Sequence, residues 1–223
     1  MVKLKLIFFL VILYFFHYGA ATGQKLRYGV QLSGGIASAY QYYPKKNEYT
    51  NNPDFGMPKN IPILSYGFNL YASYELNEQL GIAFEPGFIR KGFANKFVDS
   101  YDLTHNKTYL SYIQLPVLME FKLADFMTLT IGPEIGYLID AKLKQIDALE
   151  SVSIMNYYQH NRIDVGLQGG AYYSLSDNFD VGLKAAASLT NLERFYIEVE
   201  GGNALVEVRR NSMYIHAFTR VKF

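Results

Sequence analysis

From Lys107 to Lys142 the chain alternates apolar and polar residues almost one for one, twice in succession. Between 109 and 123 the odd positions are Tyr109, Ser111, Ile113, Leu115, Val117, Met119, Phe121 and Leu123, with Tyr112, Gln114, Glu120 and Lys122 between them. After a break at 124–126 the pattern resumes. Met127, Leu129, Ile131, Ile135, Tyr137 and Ile139 take one face, and Thr128, Thr130, Glu134 and Asp140 the other. Successive side chains of a strand point to opposite faces, so this stretch predicts a long hairpin, apolar on one side and polar on the other.

The pattern recurs along the chain. Eight alternating segments are predicted, at 25–39, 61–75, 80–94, 107–123, 127–141, 160–175, 179–192 and 205–223. Three of the connections are tight (76–79, 124–126 and 176–178) and four are long (40–60, 95–106, 142–159 and 193–204). Short turns at one end and long polar loops at the other mark an up-and-down barrel that crosses a membrane with its strands. The fold class expected is all-β: a closed, eight-stranded, antiparallel transmembrane β-barrel.

Parity assigns the outward faces: Leu26, Tyr28, Leu32 and Ile36; Leu64, Tyr66, Phe68 and Leu70; Leu80, Ile82, Phe84, Pro86 and Phe88; and so on to Met213, Ile215, Val221 and Phe223. No charged residue falls in these sets, as a wall facing lipid requires. The outward aromatics form two belts. Tyr28, Tyr74, Phe121, Tyr173, Phe179 and Phe223 lie at the short-turn ends, and Tyr66, Phe88, Tyr109 and Tyr137 nearer the long loops. Rings at two heights are the interfacial girdles of such a wall.

The inward positions carry Arg27, Lys91, Lys122, Arg162, Lys184, Arg220 and Lys222, against Glu75, Glu85, Glu120, Glu134, Asp140, Asp164 and Asp180. An eight-stranded barrel has room inside only for side chains. Opposite charges in so narrow a bore must pair, because an unpaired buried charge is very costly. A plugged polar core is expected. Inward glycines are expected to make room for the long side chains and to let the sheet coil. Pro86, Pro116 and Pro133 fall in mid-strand and predict bulges or gaps in the ladder.

The first residues read as an export signal. Lys3 and Lys5 precede an uncharged apolar run at 6–16, and small residues follow up to Gly23. That is the three-part form of a signal peptide and too short for a membrane span. Residues 1–23 are therefore expected to be the signal peptide and 24–223 the barrel domain, in the outer membrane.

The run Tyr109-Leu-Ser-Tyr-Ile-Gln-Leu-Pro-Val-Leu-Met-Glu-Phe-Lys resembles a strand of the PorT-like outer-membrane β-barrel family. Gly132-Pro-Glu-Ile-Gly-Tyr-Leu and Asp164-Val-Gly-Leu-Gln-Gly-Gly-Ala-Tyr-Tyr look like the strands that follow it there. The terminal Phe223 looks like the C-terminal aromatic read by the barrel-assembly machinery. The resemblance implies a Gram-negative outer membrane, partnership with that machinery and with periplasmic chaperones, and for some members a part in a secretion or envelope complex. It carries no catalytic motif.

Chemistry has few footholds. The absence of Cys removes thiolate nucleophiles and Cys-bound metals. A net charge of +1 gives no footing for nucleic acid. No cofactor or metal motif occurs; Asp54, Asp99, Asp102 and Glu150 are too scattered for a calcium loop. Three functions are weighed. The leading one is a non-enzymatic barrel displaying loops for binding, envelope integrity or secretion-complex assembly. The second is a small channel. The third is a rim hydrolase built from Asp99, Asp102, His105 and His160.

Overall fold

The computed structural model describes residues 26–42, 59–96, 105–145, 151–156, 158, 162–198 and 205–223. Residues 1–23, expected as the signal peptide, lie outside the described residues. The described chain forms twelve strands: β1 (Leu26–Tyr42), β2 (Lys59–Ile61), β3 (Ile63–Glu75), β4 (Leu80–Phe84), β5 (Gly87–Lys96), β6 (His105–Ala124), β7 (Met127–Gln145), β8 (Val152–Ser153), β9 (Ile163–Ser176), β10 (Phe179–Ser188), β11 (Glu193–Glu198) and β12 (Leu205–Lys222).

All pairings are antiparallel, and they close on themselves. β1 pairs with β3, β3 with β4 and β5, both of these with β6, then β6 with β7, β7 with β9, β9 with β10 and β10 with β12. β12 returns to β1 in an unbroken register from Gly29↔Lys222 to Tyr42↔Arg209. Taking β2 with β3, β4 with β5 and β10 with β11, this is a ring of eight walls without a free edge. Of the four further strands, three come from interruptions and the fourth, β8, pairs with β7 inside the expected 142–159 connection. Pro62 separates β2 from β3, and Glu85–Pro86 separates β4 from β5, because each proline lacks a ladder donor.

The three tight turns sit at one end. Asn77 Oδ1 accepts from the N–H groups of Gln79 and Leu80 at 2.9 and 2.8 Å, closing the first by side-chain mimicry of a backbone turn. The other two link Ala124↔Met127 and Ser176↔Phe179. At the other end the strands run on past their expected limits, as in β1 to Tyr42 and β7 to Gln145. The expected loop at 193–204 begins with a strand, β11, which continues the β10 wall against β12. Between them, Val165 O accepts from both Leu189 N and Thr190 N, at 2.7 and 3.2 Å, so the chain bulges before resuming.

Outside, the wall is apolar. Leu32, Leu64, Ile113, Leu183 and Ile215 are among the large hydrophobic residues left exposed. The turn-end aromatics all lie on this surface, with Tyr28 and Phe223 in ring contact at 6.1 Å and Phe126 against Tyr173 at 5.1 Å. The mid-strand prolines leave a mark without a register change: the β6–β7 pairing passes from Pro116↔Glu134 to Met119↔Ile131, skipping two rows. Beside that gap, a Cβ on Gly132 would stand 2.0 Å from Val117 O. At Gly35 the obstacle is again a neighbouring carbonyl, Ile215 O at 2.1 Å. These glycines serve close backbone approach rather than space for long side chains.

Gly132→Val is expected to cost about 1–3 kcal/mol, through overpacking against that carbonyl. Gly169→Val, whose Cβ would meet nothing nearer than Thr130 O at 3.7 Å, is expected to change stability by less than about 0.5 kcal/mol. Urea unfolding in detergent, followed by the mobility of unheated samples on gels, checks the ordering. Equal midpoints would show the close approach to be unimportant.

Candidate functional site

Alternation along eight walls sends every second side chain into the bore, and the inward set is organised around Arg220 on β12. Its guanidinium is 1% exposed. Nη2 donates to Glu85 Oε1 at 2.6 Å, and Nε and Nη2 both donate to Gln31 Oε1, at 3.1 and 2.8 Å. Nη1 stands 3.6 Å from Asp180 Oδ2 and 3.9 Å from Glu120 Oε1. The flat cation is also faced by the Tyr71 ring, 3.7 Å to its centroid, and by the Tyr172 ring at 4.8 Å. Five donors in a fixed fork suit a node where side chains from several walls converge; an ammonium would not reach the same set.

Some of the remaining inward charges attach to this node, and others form separate groups above and below it. Lys222 Nζ holds Asp180 Oδ1 at 2.7 Å, and Ser174 donates to the same oxygen. Lys184 lies 3.6 Å from Glu85 Oε2, where Gln31 also donates. Glu120 accepts from the hydroxyls of Tyr71, Tyr172 and Ser73. One level up, Lys91 bonds Asp164 at 2.7 Å and reaches to 3.9 Å from Glu134. Asp164 further accepts from Ser188, Thr190 and Ser212, and Glu134 from Tyr214. His216 bridges Ser33 and Ser65 through its two ring nitrogens. At the turn-end mouth, the half-buried Arg27 and Lys122 share Glu75, at 2.8 and 2.6 Å.

Two residues expected in the bore are not there. Ser111 pairs with Asp140 but Tyr112 with Leu138, so Ile139 is an extra residue, a β-bulge. Leu138 and Ala141 both point inward, which leaves Ile139 and Asp140 outward. Asp140 pairs with Lys142 at 3.2 Å in the open. Arg162 precedes the first residue of β9, so alternation no longer holds it inward. Its Nη1 donates to the outward Tyr137 hydroxyl at 3.4 Å.

Another acid and base take their place. Arg210 Nη1 bonds Glu193 Oε2 at 2.6 Å, and Tyr158 donates to the same carboxylate. Around and beyond Lys91 the bore also carries an apolar layer, beside the Arg210–Glu193 pair. Ile89, Phe93, Leu110 and Leu138 make up that layer, and Tyr158, 1% exposed, packs over them with Ile154 and Met155. Parity alone places Ile89, Phe93, Leu110 and Leu138 inward; an expectation built on polar residues passed over them. Of the rim hydrolase set, Asp99, Asp102 and His160 lie outside the described residues, as does the His105 side chain.

The outward set has an addition. Even positions of the third expected segment face out, and the next after Phe88 is Arg90, paired across the sheet with the outward Tyr66. It belongs to the wall, at the long-connection end.

A family model described as an outer membrane protein beta-barrel domain matches residues 16–194. Among solved structures, Neisserial surface protein A is similar, with a TM-score of 0.45 and 16% identity over 88% of this chain and 97% of its own. Ail, the attachment invasion locus protein of Yersinia pestis, was solved in complex with the heparin analogue sucrose octasulfate. It is similar with a TM-score of 0.37 and 17% identity over 87% of this chain and 99% of its own. OprG from Pseudomonas aeruginosa gives 0.41 and 11% over 87% and 95%. No curated protein matches the chain.

Arg220→Met is expected to destabilise by about 3–5 kcal/mol, since it strands Glu85 and Asp180 without their shared cation. Arg162→Gln, at the outer surface, is expected to change stability by less than about 0.5 kcal/mol. Urea midpoints of the two variants in detergent measure the difference, and a mild effect at Arg220 would remove it from the centre of the network.

Proposed function

Because the chain belongs to the outer membrane protein beta-barrel domain family, we propose that it serves there as a closed, non-enzymatic scaffold whose useful surfaces are its external connections and its wall. One observation carries this reading. From the Arg27–Glu75–Lys122 mouth, through the Arg220 node, to the layer under Tyr158, side chains and their mutual bonds occupy the bore. A solute would have to break several buried ion pairs to pass, each of which leaves an uncompensated charge.

Exposed connections on a rigid frame are the usual place for recognition. In this reading the apolar residues of the 142–159 connection divide the labour: Ile154, Met155 and Tyr158 turn inward as a stopper, leaving the rest for contact. Export by the 1–23 signal and assembly through Phe223 belong to the same proposal. So does kinship with PorT-like proteins of secretion and envelope assembly, which the 109–122 motif supports.

Refolded protein in planar bilayers is expected to give no unit conductance steps, and proteoliposomes loaded with small sugars are expected to retain them. Reproducible steps from the wild-type chain would overturn the scaffold reading in favour of a channel.

A further inference from the structure

The bore and the wall treat cations differently. Arg27, Lys91, Lys122, Lys184, Arg210, Arg220 and Lys222 each have a carboxylate within ion-pair distance. On the wall, Arg90 has none among the described residues. Its Nη1 donates to the Tyr66 hydroxyl at 3.3 Å, and its guanidinium lies 4.4 Å over the Tyr109 ring. Both tyrosines are outward. Tyr109 pairs across the sheet with Lys142, and Lys107, two residues along the same face, pairs with Lys144. Lys142 shares Asp140; among the described residues no carboxylate pairs with Lys107 or Lys144. A cation on the lipid wall is tolerated only near the water interface, where its head reaches charged groups. Here Arg90 on β5, Lys107 on β6 and Lys142 and Lys144 on β7 lie on three adjacent strands, toward their long-connection ends.

Beside them the wall is indented. The β3–β5 ladder stops at Tyr66↔Arg90, and pairing resumes at Ile61↔Ala94 with one more residue on the Pro62 side than on the Gly92 side. Pro62 has no N–H to give. Gly92 sits at φ 156°, where a Cβ would meet Thr108 O at 1.9 Å. The mismatch opens a groove of about 340 Å³ lined by Ile61, Pro62, Ile63, Leu64 and Ala94, with Lys107 and Tyr109 at its basic lip. An apolar trough that opens on the membrane wall with Lys107 at its lip, and with Arg90 beside that lip over the Tyr109 ring, matches one kind of molecule: an amphiphile with an anionic head.

We propose that this patch binds a phosphorylated lipid of the outer leaflet, its phosphate held by Arg90, Lys107 and Lys144 and an acyl chain laid along Pro62 and Leu64. Charge-assisted bonds to phosphate are short and strong, and the tyrosines hold the guanidinium in place for them. The inference needs the wall to face lipid. It does not depend on the bore being closed.

The test uses the full chain refolded into nanodiscs of phosphatidylcholine, with diphosphorylated lipid A as the probe and native mass spectrometry as the readout. Wild type is expected to retain lipid A, and Arg90→Gln with Lys107→Gln to retain it at least tenfold more weakly. Arg194→Gln, a base on β11 away from the patch, is expected to match wild type. Unchanged retention in the double variant overturns the proposal. So does equal retention of dephosphorylated lipid A, preference for phosphatidylglycerol, or full displacement by inorganic phosphate, which would make the site one for a free anion. If the double variant migrates as unfolded, Leu64→Trp fills the trough from an exposed position and is expected to weaken retention severalfold; no change there overturns the acyl assignment. A wild-type chain that inserts into vesicles but ignores lipid A defeats this proposal alone, whereas failure to insert defeats the membrane reading beneath it.

Discussion

A strand within hydrocarbon has no water to satisfy its N–H and C=O groups, so a spanning sheet must have no edge. The β1–β12 pairing meets that constraint here, and much else depends on it. Because the first and last strands are neighbours, Gln31 and Arg220 sit side by side in the bore. Because β12 also pairs with β10, Asp180 stands across from Arg220. Closure thus builds the ion network, bringing together residues far apart in the chain.

The network in turn says something about register more than about stability. Buried ion pairs contribute little net stability against a well-packed apolar alternative, since desolvation offsets the attraction. What they do is penalise error. A one-residue slip of β12 would turn Arg220, His216 and Tyr214 to the lipid and bring Ile215 and Val221 into the bore. Glu85, Glu120 and Asp180 would then face no cation from that wall. Hydrophobic burial cannot supply this discrimination alone, because the apolar residues of the wall face a medium that is indifferent to which one sits where.

That difference also explains what was legible in the sequence. Strand number, the tight turns and the two faces follow from strict alternation, which lipid outside and ions inside both enforce. Arg220, Glu85, Asp180 and Lys222 were readable for the same reason. Asp140 was not, because a single bulge at Ile139 reverses parity and leaves no compositional trace. Arg162 was not, because alternation holds only inside a strand and β9 begins one residue later. The layer of Ile89, Phe93, Leu110 and Leu138 was hidden by an assumption that the inside is polar throughout, although parity alone places all four inward. Arg90 was missed by stopping the outward set at the last aromatic.

The irregular features leave the seam untouched. Pro62, Pro86 and the skipped rows beside Pro133 lie in the walls built from β2 to β7, whereas the β1–β12 seam runs from Gly29 to Tyr42 without interruption. A closed ring shares its strain around the circumference. Other departures stand next to the seam, at Phe179/Asp180 and after Ser188 on the wall beside β12, so the continuous pairing belongs to β1 and β12 themselves. Between the groove beside Pro62 and the bulge at Ile139 stand Arg90, Tyr109 and Lys142. The mismatch at Pro62 borders the groove and the bulge at Ile139 turns Asp140 outward, neither of which a uniform ladder allows. The wall facing the membrane therefore acquires chemistry where its ladder is interrupted, while the seam that closes the ring keeps a regular register.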